Sequence, residues 1–159
     1  MEKKISLTHK ITEEIAIRIK KIINGNYQQA ALGTIDDVGL PMVTKIIPMN
    51  YNGKIYLLIS DLSEHTKNLN INPNASLYFA QEETHKIKSN NPRLTLQGFF
   101  KKIELKKDNP KFQILLKSYN KVEPGSKMWG MFTDFNFYVF TANKQIFVEG
   151  FGKAYQGNI

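Results

Sequence analysis

Apolar residues recur at helical spacing near the start of the chain, and the pattern then changes to short alternating runs. The helical stripe consists of Ile11, Ile15, Ile19, Ile22 and Ile23. This spacing predicts an amphipathic helix over residues 11–24, with Thr12 suited to begin it and Gly25 suited to end it. We expect the isoleucine stripe to face a core.

From residue 27 onward, the alternating runs predict strands separated by turns. The strands are predicted at residues 27–35, 42–49, 54–60, 76–81, 93–104, 134–141, 145–149 and 152–155. Turn signals at 36–39 and 52–53 predict that the first three strands form a meander. A second helix is predicted at 110–119, and a loop or short helix at 122–129. Many short strands with few helices favour a β-barrel with flanking helices.

The polar segment after the third strand is the main candidate for chemistry. Residues 60–69 predict a turn followed by a short helix, which ends before Pro73. Ser60 or Asp61 is predicted to cap this helix, whose free N–H groups and dipole favour an anion. His65 and Lys67 add cationic donors nearby. The segment therefore predicts a site for a phosphate or a carboxylate.

Composition limits the classes of function. The chain has 159 residues, which suggests one domain, and its net charge of +8 favours an anionic partner such as a phosphate cofactor, a haem propionate or nucleic acid. A lysine-rich solvated surface is the alternative interpretation. Nucleic-acid binding is the remoter hypothesis, because no strand interleaves aromatic and basic residues.

Several other classes are disfavoured by what the sequence lacks. It contains no cysteine, which excludes disulfides, thiolate zinc sites and cysteine nucleophiles. Its three histidines do not have the spacing of a local metal site, so no metal is expected. No apolar segment follows the charged residues 1–4, and no apolar run reaches about 20 residues. We therefore expect a cytoplasmic protein without a membrane segment.

Four segments in order resemble the pyridoxamine 5'-phosphate oxidase-like FMN-binding split-barrel family, and within it the haem-utilisation branch. Besides 60–69, they are residues 31–35 with 39–41, residues 134–138 and residues 150–154. The resemblance covers residues 26–155. It implies a single split-barrel domain over 1–159, with an N-terminal helix in 1–25 and the barrel in 26–155. It also implies a homodimer with its cofactor site at the subunit interface.

The resemblance implies FMN as the cofactor and assigns residues to it. Lys45, beside Thr44, matches a basic residue that reaches the cofactor phosphate, although a solvent-facing lysine is the alternative. Ser60 and Lys67 match the second half of the phosphate grip. Gln97, on the polar side of its strand, is expected to bond the edge of the flavin ring. No catalytic side chain and no substrate are assigned.

Haem is the alternative cofactor. His65 is then the candidate iron ligand, and Asp134 matches an acidic residue that supports a histidine in the haem-degrading relatives. The chain departs from those relatives because residues 155–159 contain no histidine. We therefore expect an FMN-binding, oxidoreductase-like protein connected with haem utilisation. The alternative is a haem-binding or haem-degrading oxygenase on the same fold without flavin.

Overall fold

The computed structural model describes residues 8–159, so the charged residues 1–4 lie outside the described part. The strands are β1 (Thr8–Lys10), β2 (Gln29–Ile35), β3 (Pro41–Ile46), β4 (Met49–Tyr51), β5 (Lys54–Ser60), β6 (Asn74–Ala80), β7 (Arg93–Lys102), β8 (Phe135–Gly150) and β9 (Lys153–Asn158). The helices are α1 (Glu13–Ile23), α2 (Glu64–Ile71), α3 (Pro110–Val122) and α4 (Ser126–Trp129), and a 3₁₀ turn covers Lys88–Asn90. The predicted fold class, mainly β with flanking helices, is confirmed.

The long strand β8 organises the sheet. β7 pairs along most of one edge of β8, while the other edge pairs first with β5 and then with β9. The sheet order is β1-β9-β8-β7-β6-β2-β3, with β5 and β4 branching from β8. The prediction of separate strands at 134–141 and 145–149 was wrong. One strand of 16 residues spans both, because its pairing with β7 continues across the interval.

Gly98 makes this continuity possible. The register between β7 and β8 shifts between Gln97 and Gly98, which is a β-bulge. A Cβ atom at Gly98 would lie 1.9 Å from the Thr141 carbonyl oxygen, so a larger residue would force the two backbones apart. The glycine therefore allows close strand approach at the point where the neighbour of β8 changes from β5 to β9.

The predicted meander is only partly present. The return strand predicted at 42–49 breaks before Met49, so β3 pairs with β2 while β4 pairs with β5. Pro48 has no N–H to donate at the break. The carbonyl groups there accept side-chain bonds instead, from Tyr119 to Ile47 at 2.8 Å and from Tyr27 to Pro48 at 3.0 Å.

Helix α1 confirms the predicted N-terminal helix. Thr12 accepts a bond from the Ile15 N–H at 3.3 Å, and the buried isoleucines of the stripe pack into the interior cluster. Arg18 pairs with Glu149 and lies 5.0 Å from the centroid of the Phe147 ring, which ties the helix to β8. Among residues 8–159, no helix combines the length and apolar composition needed to cross a membrane.

Strand β5 separates two hydrophobic clusters. Its alternate residues Ile55, Leu57 and Ile59 enter the interior cluster with α1. On the opposite face, β5 meets a second cluster that includes the buried face of α3. That second cluster contains Met49, Tyr56, Leu58, Phe112, Leu115, Leu116, Tyr119 and Phe137. Because both faces of β5 are covered, its end is held firmly where the polar segment begins.

Candidate functional site

An open pocket of about 260 Å³ lies where β5 ends and α2 begins, and we call it the β5–α2 pocket. It is lined by Lys45, Ile46, Ile47, Leu58, Ile59, Ser60, Ser63, His65, Tyr119, Trp129 and Phe135. The fold thus brings together three residues that the sequence proposed: Lys45 from β3, Ser60 from β5 and His65 from α2. Lys67 and Gln97 lie elsewhere.

The start of α2 differs from the prediction that Ser60 or Asp61 caps it. The helix begins at Glu64, and Ser63 occupies the N-cap position without forming a side-chain capping bond. The polar turn is longer than expected because the Ser63 N–H first closes back on the Ser60 carbonyl at 3.1 Å. The first amides of α2 consequently have no side-chain cap, and such amides favour an anion.

Ser60 is held between β5 and β8. Its hydroxyl donates to Asp134, and its oxygen accepts from the Leu62 N–H at 3.1 Å. The Asp61 N–H donates to the Asp134 carbonyl at 2.8 Å, which closes the same junction. Asp134 therefore positions a serine of the pocket, and no bond joins it to a histidine among the described residues.

His65 is a partly buried histidine with a restricted environment. Its Nδ1 lies 3.0 Å from the Thr44 hydroxyl oxygen, and its Nε2 is buried without a hydrogen-bond partner among the described residues. Burial lowers the pKa of His65, so its imidazole is neutral near pH 7. Neither ring nitrogen is open to a haem iron in this arrangement, so the residue does not fit the predicted ligand role.

The other histidines provide no better ligand. His9 is exposed on β1 and lies 5.7 Å from the Tyr155 ring, while the His85 Nδ1 accepts from the Ile87 N–H at 3.1 Å. Within residues 8–159, no group of three His, Asp or Glu side chains converges on a metal-sized site.

Lys67 and Gln97 are not part of the β5–α2 pocket. Lys67 is exposed and pairs with Glu64 at 2.6 Å, one helical turn away. Gln97 is exposed on β7 and lines a separate depression of about 450 Å³ together with Met42 and Val43 of β3. Val43 and Lys45 lie on the same exposed face of β3, so this strand borders both the depression and the pocket.

Sequence reasoning did not predict the aromatic wall of the β5–α2 pocket. Trp129 and Phe135 pack with ring centroids 4.5 Å apart, and Tyr119 lies 6.3 Å from Trp129. These side chains come from α3, α4 and β8, and no local spacing in the sequence connects them. Ser63 was missed as well, although its position just before a helix was the available signal.

Lys107 secures the segment that carries this wall. Its ammonium donates to the Phe135 and Gly130 carbonyls and lies 4.3 Å from the centroid of the Phe112 ring. Burial lowers the pKa of Lys107, while the charges of Asp134 and Asp61 act in the opposite direction. The lysine thus links the aromatic wall to the second hydrophobic cluster.

Solved structures share this fold at low sequence identity. ChuZ from Campylobacter jejuni aligns with a TM-score of 0.81 and 22% identity over 94% of this chain and 61% of its own. A haem-binding protein from Mycobacterium smegmatis gives 0.80 and 20% over 93% and 60%. The chain therefore spans about three fifths of the length of either protein.

A third structure matches along nearly its whole length. It is a protein of the pyridoxinephosphate oxidase family from Clostridium acetobutylicum, related to general stress protein 26 of B. subtilis. It has a TM-score of 0.73 and 17% identity over 94% of this chain and 97% of its own. No curated protein sequence matches this chain significantly.

The sequence of most of the chain identifies its family. Residues 19–157 match the family described as CREG, beta-barrel, and this range includes every strand from β2 to β8. The predicted resemblance to the split-barrel proteins is confirmed by this match together with the shared fold. The chain therefore belongs to the CREG beta-barrel family and has the split-barrel fold.

Proposed function

We propose that this single-domain protein binds FMN, with the cofactor phosphate in the β5–α2 pocket and Lys45, Ser60 and the first amides of α2 around it. The observation that carries the proposal is the uncapped start of α2 beside Lys45 and Ser60. Backbone N–H groups at a helix start, a hydroxyl and an ammonium are suitable donors for a phosphate.

Lys45 is the side chain on which the proposal depends most. It is exposed on β3, and no ion pair engages it among the described residues. Lys67 is engaged by Glu64, so its contribution to the phosphate is proposed to be smaller. The Ser60 hydroxyl donates to the Asp134 carboxylate and would redirect this hydrogen bond toward the phosphate on binding.

The flavin ring is proposed to lie along the exposed face of β3. This path leads from the β5–α2 pocket past Val43 to the depression that contains Gln97. The aromatic wall of Trp129 and Phe135 shields the inner end of the path from water. When bound, FMN supplies the redox chemistry, and the protein binds its phosphate and contacts its ring.

A second copy of the chain is proposed to complete the site. The pocket volume of about 260 Å³ lies below the roughly 300–1,000 Å³ typical of a complete small-molecule site. Exposed apolar side chains occur on the pocket-bearing segments, namely Val43 at 73%, Leu62 at 76% and Met128 at 83% exposure. A homodimer that covers them would remove this apolar surface from water.

FMN fits the described residues better than haem does. A haem iron needs an axial ligand, and neither nitrogen of His65 is open. A phosphate needs only donors, and the pocket has them. We therefore place haem second, even though one structure with this fold is a haem-binding protein.

The test compares FMN with riboflavin, which lacks the phosphate. We expect FMN to bind and to show flavin absorption bands, riboflavin to bind at least tenfold more weakly, and Lys45→Ala to lose about tenfold in FMN affinity. Lys67→Ala should lose less, and Lys121→Ala, on the surface of α3, should match wild type. Equal affinities for FMN and riboflavin would refute the phosphate site. A Soret band on adding haem, with no FMN binding, would reverse the order of cofactors.

A further inference from the structure

A second cavity, about 590 Å³, lies between α1 and the sheet, and we call it the α1 pocket. Its lining includes Ala16 and Ile23 of α1, Ile55 of β5, and Val139 and Ala142 of β8. It shares no lining residue with the β5–α2 pocket. Its volume falls within the range of complete small-molecule sites, which the β5–α2 pocket does not reach.

The wall of the α1 pocket is mainly apolar. Ile19, Ile55 and Phe140 come from the interior cluster and form its buried part. Ile23 and Ala142 are only partly buried, so carbon surface remains in contact with water there. Covering such surface with an apolar ligand is favourable at about 25 cal/mol per Å².

The charged side chains of the lining have one sign. Lys20 of α1 and Lys54 at the start of β5 both line the cavity, and no Asp or Glu of residues 8–159 does. Within residues 8–159, the ion pairs are Arg18–Glu149, Lys67–Glu64 and Lys102–Asp61, so neither lysine is neutralised. An occupant with an anionic group would therefore be attracted to these ammonium groups.

We propose that the α1 pocket binds an amphiphilic carboxylate, with its apolar chain between α1 and β8 and its carboxylate at Lys20 and Lys54. The apolar wall selects the chain, and the two unpaired lysines select the charge. This site is independent of the proposed flavin site, because the two pockets have separate walls. The protein would then carry two ligands at once.

The experiment titrates decanoate below its micelle concentration into the full chain, followed by calorimetry and by amide NMR shifts. We expect shifts at Ala16, Lys54 and Ala142, and about fivefold weaker binding of decanol, which lacks the charge. The double variant Lys20→Glu/Lys54→Glu should weaken decanoate about tenfold or more and leave decanol unchanged. Lys21→Glu, on the same helix but outside the lining, is the matched control.

A blocking variant locates the site without touching its charges. Ala16→Trp places a large ring at the mouth and should abolish decanoate binding while leaving FMN binding intact. No binding of decanoate, equal binding of decanol, or shifts outside the pocket would each overturn the proposal. Protection of the same residues on dimer formation, with no effect of decanoate, would show that a second copy fills the cavity instead.

Discussion

The β5–α2 pocket and the α1 pocket border the same sheet but differ in how their polar side chains are held. In the first, polar side chains are held by specific bonds, such as Thr44 with His65 and Ser60 with Asp134. In the second, the wall is mainly apolar and its two charged side chains, Lys20 and Lys54, form no ion pairs among the described residues. Most of the lining of each pocket is apolar, and the pockets differ in whether their polar side chains have partners.

The two pockets should therefore respond differently to substitutions. Hydrogen bonds are directional and local, so a single polar substitution in the β5–α2 pocket disturbs its neighbours. Apolar burial is non-directional and spread over many contacts, so the α1 pocket should tolerate conservative apolar substitutions in its wall. The two pockets also draw on the core differently, because Leu58 and Tyr119 of the second cluster line only the β5–α2 pocket.

The largest effect is expected from Phe112→Ala in the second cluster. Phe112 is 1% exposed and packs on Phe137 with centroids 5.2 Å apart. Its loss should lower the free energy of unfolding by about 3–5 kcal/mol, because it leaves a cavity in a packed cluster. Denaturant unfolding measures this. FMN affinity should fall in the folded variant, whereas decanoate affinity should not.

Ile114→Ala on the exposed face of the same helix is the control for that measurement. It should change the free energy of unfolding by less than about 0.5 kcal/mol. Comparable losses in the two variants would mean that the second cluster does not support α3 as described.

A smaller effect is expected from Tyr119→Phe. The change removes the hydroxyl that donates to the Ile47 carbonyl at the break between β3 and β4, and the ring remains. Leaving that carbonyl without its partner should cost about 1–3 kcal/mol of unfolding free energy. Thermal unfolding gives the value, and Tyr155→Phe is a matched control on β9. Unchanged stability would show that water replaces the hydroxyl.

The next expected effect is a pH dependence of the unfolding free energy that comes from His65, which lines only the β5–α2 pocket. Burial lowers its pKa below the unfolded value near 6.5, so the unfolded chain binds more protons. The stabilisation is complete above pH 6.5 and is lost as pH falls through the folded-state pKa, by at most about 1.4 kcal/mol per pH unit. His65→Gln should flatten the curve of unfolding free energy against pH, relative to a His85→Gln control. An identical slope in both variants would remove His65 as the cause.

The smallest effect is expected from Asp134→Asn. The substitution removes a negative charge beside Ser60 and weakens the hold of residue 134 on its hydroxyl. FMN affinity should rise about threefold, because the phosphate no longer faces that carboxylate. Decanoate affinity should not change. Weaker FMN binding in this variant would show instead that Asp134 is needed to position the serine.

Features that depend on residues close together in the sequence were predicted well. Helix α1 was predicted well because its apolar period, its cap at Thr12 and its end at Gly25 lie within fifteen residues. The turn at Asn52 and Gly53 was also predicted, and both residues have positive φ values of 49° and 75°. Both features follow from short-range sterics and hydrogen bonding.

Features that depend on distant neighbours were predicted poorly. The break between β3 and β4 rests on Tyr119 and Tyr27, and the continuity of β8 rests on Gly98 of another strand. No local sequence pattern indicates which distant residue a side chain contacts.

The fold class, the split-barrel resemblance and the importance of the segment at 60–69 could all be predicted from the amino-acid sequence, because periodicity and short motifs fix local structure. Three features depend on the tertiary structure: Tyr119, Trp129 and Phe135 line the same pocket as Ser60, His65 is engaged by Thr44, and a mainly apolar cavity lies under α1. Packing and hydrogen bonding depend on residues that meet in space but lie far apart along the chain, so a local sequence pattern does not predict them.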